Sequence, residues 1–115
     1  MINLDLKQND DGSDAGTRLQ IEGEMTLEHA AEIKQALLDL LAVSGALSVD
    51  CAKVDRVDLA GLQLLCSLVR SAVDQKRQLV VDVSSVPVIQ QALADAGFPA
   101  GWCEILNVEQ NKEAT

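Results

Sequence analysis

At 115 residues and 48% hydrophobic, the chain fits one compact domain with a real core, which excludes global disorder. Nine Lys and Arg against eighteen Asp and Glu give a formal net charge of −9, which excludes phosphate backbones and anionic headgroups as natural partners. With Phe98 and Trp102 as its only aromatics, the core must be aliphatic, and neither base stacking nor an aromatic cage is available.

Ile2, Leu4 and Leu6 alternate with polar residues, the period of a strand with one buried face. Residues 9–16 are dense in turn formers, and Thr17, Leu19, Ile21 and Gly23 alternate again, so residues 2–23 are predicted to form a hairpin. The acidic turn lacks calcium-loop spacing and a closing Glu, and reads as a solvated turn. From Thr26 the period becomes helical, with Ala30, Ile33, Leu37, Leu40 and Leu41 on one face. Thr26 is the expected cap, Glu28 suits the first turn, and Ser44-Gly45 ends the helix.

Ala46 to Cys51 then reads as a short strand, and a second helix is predicted from about Leu59 to Lys76. Leu79 to Val83 has the continuous aliphatic pattern of a strand buried on both faces. Pro87, after Ser84-Ser85-Val86, opens a third helix carried by Val88, Ile89, Leu93 and Ala96 and stopped at Gly97. The stretch from Phe98 to Val108 adds a short strand or helix. The order β-β-α-β-α-β-α implies an α/β fold: a mixed sheet of four to five strands, largely parallel, with an antiparallel edge. One domain is expected over residues 1–108, with 109–115 as a flexible tail.

Catalytic chemistry is hard to assemble from these residues. The single histidine, His29, reads as a surface residue of the first helix, and no nucleophile elbow accompanies it. Cys51, Cys66 and Cys103 are scattered without metal or redox spacing, as expected of reduced thiols in a cytoplasmic protein. No Gly-rich phosphate loop, signal peptide or membrane-length apolar run is present, and neither a cofactor nor a metal is expected. An enzyme or small-ligand carrier stays open only as a minor alternative, because α/β sheets often bind ligands at strand ends.

The segment Val57-Asp58-Leu59-Ala60-Gly61-Leu62-Gln63-Leu64-Leu65 stands out. Asp58 is placed to cap the second helix, and Gly61 permits a close backbone approach in its first turn. With Leu62, Leu65, Val69 and Val73 as the core face, steps of about 100° put Ala60, Leu64 and Leu68 on the far side. Those leucines either pack on a neighbouring helix or form an exposed patch for a partner.

This Asp-x-x-Gly-Leu junction, after a Val-x-x-Val-Asp strand (Val54 to Asp58), resembles the corresponding segment of STAS (anti-sigma-factor antagonist) domains. Gly23-Glu24-Met25, Leu47-Ser48-Val49-Asp50-Cys51 and the Gln90–Gly97 helix support the likeness over roughly residues 15–100. The resemblance implies a bacterial, cytoplasmic, non-enzymatic module of signal transduction or transcription regulation. Its partner would be an anti-sigma factor with a kinase-like build, docked on Asp58, Leu59, Ala60, Gly61, Leu62, Leu64 and Leu68. In well-known members the Ser before the Gly is phosphorylated. Here that position is Ala60, its neighbour is Leu59, and the hydroxyl is lost, so binding is expected to be constitutive. The family also tends to carry an acidic residue where Thr26 stands. The alternative partner is the ATPase of a lipid-trafficking ABC transporter, or a chemosensory or signalling complex. A homodimer would use the same patch.

Overall fold

The computed structural model describes residues 1–8, 16–43, 45–83, 86–97 and 107–108. The predicted turn at 9–15, Ser44, Ser84-Ser85, Phe98, Trp102, Cys103 and the tail 109–115 lie outside the described residues.

The alternating segments do pair as a hairpin. Strand β1 (Ile2–Gln8) lies antiparallel to β2 (Gly16–Met25), with Leu4 opposite Ile21. Strand β3 (Ala46–Val57) runs parallel to β2, β4 (Leu79–Asp82) parallel to β3, and β5 (Asn107–Val108) antiparallel to β4. The sheet order is β1-β2-β3-β4-β5. The C-terminal segment, expected as strand or helix, thus contributes a strand.

Strand β3 is twice the predicted length. Its alternation fails after Cys51, because register shifts against β2 fall between Gln20 and Glu22 and between Gly23 and Glu24. The interruption leaves Ala52 and Lys53 exposed and returns Val54 to the core, so a strict period of two hides the second half. That second half pairs Val57 with Met25 and delivers the chain to the second helix.

Three helices complete the layer: α1 (Ala30–Ala42), α2 (Leu59–Asp74) and α3 (Pro87–Asp95). Ile33, Leu37 and Leu40 of α1, Leu62, Leu65 and Leu68 of α2, and Ile89 and Leu93 of α3 share one cluster with Leu19, Ile21, Val49 and Val81 of the sheet. The alternate positions Arg18, Gln20 and Glu22 of β2 stay outside the core, which is the pattern of a sheet packed on one face.

Two expected features of α1 are corrected. Thr26 makes no side-chain cap, and the chain first turns through a 3-10 segment, Leu27–His29, before the α-helix begins at Ala30. The cap comes from outside: the Asp58 carboxylate accepts the Leu27 N–H across 31 residues, at 3.0 Å. At the other end, the Arg77 guanidinium donates to the carbonyls of Leu41, Val43 and Gly45. Three orphan carbonyls are thereby satisfied by one planar fork.

The face of α2 is also corrected. Leu62, Leu65, Leu68, Val69 and Ala72 are buried, whereas Val73 is 51% exposed. The helix packs on α1 as well as on the sheet, so its buried arc turns toward Leu68 and Leu64 and away from Val73.

Candidate functional site

The β3–α2 junction is built around one side chain. Asp58 donates its N–H to the Met25 carbonyl at 3.2 Å, anchoring the end of β2. Its Oδ1 accepts the Gly61 N–H at 3.0 Å and its Oδ2 the Leu27 N–H at 3.0 Å. One carboxylate therefore caps two consecutive helical elements and ties them together. Gly61 has to be a glycine: a Cβ there would run into the Met25 carbonyl oxygen and lie 2.9 Å from Val57 Cγ2.

Burial is the largest influence on the Asp58 carboxyl and pushes its pKa up. The backbone N–H groups of Leu27, Gly61, Ala60 and Asp58 itself together outweigh it and hold the group below its ordinary value of 3.8. The folded state therefore binds this proton less readily than the unfolded chain does. The cap's contribution is complete above pH 3.8 and is lost as pH falls through the lower, folded value. Because the carboxylate is exposed and screened by water, Asp58→Asn is expected to cost only about 1 kcal/mol at pH 7. In urea unfolding the difference from wild type should shrink below pH 3.8. A difference that stays constant down to pH 2 would show that the ionised cap contributes nothing.

The seven sequence-predicted site residues separate by depth. Asp58 and Leu59 are exposed, Leu59 at 54%, and Ala60 and Leu64 are half-buried. Gly61, Leu62 and Leu68 are buried, with Leu62 forming no more than the wall of a cleft. Leu64 lines a shallow groove with Lys34, Leu38 and Ser67, which places it against α1. Of the two alternatives for Leu68, its burial favours packing on a neighbouring helix over an exposed patch.

Leu27, absent from the predicted set, is 71% exposed and tied by its N–H to Asp58. It lies in the 3-10 turn ahead of α1, before the helical stripe that starts at Ala30. On the other side of the junction, an open cleft of about 330 Å³ lies between the start of α2 and the end of α3, lined by Val57, Asp58, Leu59, Leu62, Ala92 and Asp95.

His29 is not the free surface residue expected. It sits in the 3-10 turn, with 16% of its side chain exposed and Nδ1 3.0 Å from Glu32 Oε1. The fold also brings ligand atoms of Glu24, Glu28 and His29 within 4.8 Å of one another, a grouping the sequence spacing did not suggest. Glu24 is already met there by the Met1 amine at 3.3 Å and Arg56 at 3.9 Å, so cations of the chain itself serve this carboxylate. Burial pushes the Cys66 thiol above its ordinary value, against the pull of Arg70, which keeps it protonated and poorly nucleophilic. Among the described residues, no helix is long and apolar enough to cross a membrane.

Comparison with known proteins agrees with this build. A family model described as "Mlab, STAS domain" matches residues 9–99. No curated protein matches the chain. Among solved structures, an anti-sigma factor antagonist from Mycobacterium paratuberculosis superposes with a TM-score of 0.58 at 21% identity, covering 86% of this chain and 84% of that one. A structure of Mglu gives 0.56 at 22% identity over 70% of this chain, which spans only 20% of that protein. A DUF3478-family protein with a SpoIIAA-like fold from Shewanella loihica gives 0.53 at 13% identity, covering 89% of this chain and 80% of that one. At these identities the structural likeness shows the fold.

Proposed function

The chain belongs to the STAS domain family, and we propose that it serves as a non-enzymatic regulatory module that binds a protein partner through the exposed start of α2. The observation that carries this reading is a pair of largely exposed leucines next to a carboxylate committed to backbone N–H groups: Leu27, whose N–H that carboxylate accepts, and Leu59, which follows Asp58 in the chain. Such a junction offers apolar contact area, and its one carboxylate serves as a cap. The contact set is therefore Leu27, Asp58, Leu59 and Ala60, with Leu64 at its margin.

Residues 59 and 60 are Leu and Ala, so no hydroxyl stands at the family's phosphorylation position and binding is not gated there. An anti-sigma factor of kinase-like build is the first partner class. The hydroxyl-free junction favours a second, a constitutive subunit in which the partner is a transporter ATPase.

The test is affinity capture of tagged protein from detergent-cleared lysate of the source cell, with captured proteins identified by mass spectrometry. Leu59→Glu is expected to abolish recovery of the specific partner while leaving the melting temperature unchanged, because residue 59 is exposed. A partner retained at wild-type yield by a folded Leu59→Glu protein would reject this surface. An anti-sigma factor in the capture would establish sigma control, and an ATPase with its permease would establish the transporter role.

A further inference from the structure

We infer that the cleft between the start of α2 and the end of α3 receives a cationic side chain, a lysine or arginine, from the protein partner. This rests on the docking surface proposed above and specifies what the partner must present there. The cleft combines apolar walls from Val57, Leu59, Leu62 and Ala92 with two carboxylates, Asp58 and Asp95. Both carboxylates are exposed, and neither is paired with a lysine or arginine among the described residues. Three other carboxylates are met by the chain's own cations, Asp5 by Lys7, Asp50 by Arg18 and Glu24 by Arg56. At the cleft, Asp58 accepts backbone N–H groups and Asp95 accepts the neutral Gln91 amide at 2.9 Å, so both negative charges stay uncompensated.

A long cationic side chain answers both features at once. Its alkyl stem covers the leucine and alanine walls, and its head group reaches the carboxylates. An acidic side chain would be repelled. A purely aliphatic one would desolvate two carboxylates and return no partner to either. A net charge of −9 further favours a partner that is basic around its docking face and speeds its approach.

The test uses the full chain, labelled with nitrogen-15, and n-butylguanidinium chloride as a stand-in for the arginine side chain. n-Butanol and sodium butyrate are titrated in parallel at equal concentration and ionic strength. Saturable amide shifts confined to Leu59, Leu62, Ala92 and Asp95 are expected with n-butylguanidinium only, and Asp95→Asn should weaken binding about fivefold. Asp95→Lys, which installs a cation beside the cleft, should abolish it. Absence of localised saturable shifts, equal shifts with n-butanol, or an unchanged affinity in Asp95→Asn would each overturn the inference. The loss of the captured partner in Leu59→Glu would survive any of those outcomes. Conversely, a partner retained by Leu59→Glu would remove the docking surface even if the cleft bound the probe.

Discussion

Replacing Gly61 by alanine is expected to destabilise the protein by about 3 kcal/mol and to lower its melting temperature by roughly 10 °C. Inside an ordinary helix the same change is favourable by about 1 kcal/mol, since alanine is the best helix former. Here the sign is reversed by what lies opposite. The added methyl group would meet the Met25 carbonyl oxygen, which is backbone, and the Val57 side chain. That carbonyl accepts the Asp58 N–H, so moving it also disturbs the residue that caps α2 and the turn before α1. Relief is therefore costly on every side. Thermal unfolding followed by circular dichroism decides the matter, and a melting temperature raised by Gly61→Ala would show that β2 and α2 do not approach this closely in solution.

Leu68→Ala is expected to cost about 3 kcal/mol in urea unfolding, whereas Leu59→Ala should stay within about 0.5 kcal/mol of wild type. Both are leucines of the same helix, and the structure separates them by depth. Leu68 is 2% exposed and belongs to the core cluster, so truncation leaves a cavity between α2 and its neighbours. Leu59 is 54% exposed and loses only partial contacts. The pair also separates folding from binding. If Leu68→Ala proved neutral for stability and damaging for partner capture, Leu68 would return to the docking surface from which its burial removes it.

Much of the junction could be read from residue order because its causes are local. An aspartate at the strand-to-helix boundary accepts N–H groups of the turn that follows, and Gly61 sits where Asp58 Oδ1 receives its N–H, three residues on. Pro87 at the start of α3 and Gly97 after its end, with φ of +85°, act through their own backbone geometry.

What failed, failed where a second element intervened. Thr26 has the chemistry of a cap, yet the Leu27 N–H is taken by Asp58 from 31 residues away, a competitor that no window around Thr26 contains. That the strand at residues 54–57 continues residues 46–51 escaped because the alternation is broken by register shifts that exist only once β2 lies alongside it. Leu27 escaped because it stands ahead of the stripe that starts at Ala30, and its tie to Asp58 exists only in the fold.

The sequence by itself determined the aliphatic core, the strong negative charge, the order of strands and helices, and the position of Asp58 and Gly61 at the head of α2, all of which follow from composition and short-range geometry. The tertiary structure alone decided which leucines of that helix are buried and which face solvent. A helix packed against both a sheet and another helix buries a wider arc than periodicity assigns, and its direction depends on where the neighbour lies. Only the fold, too, could set Asp95 of α3 across a cleft from Asp58, because side chains 37 positions apart meet through packing and not through spacing.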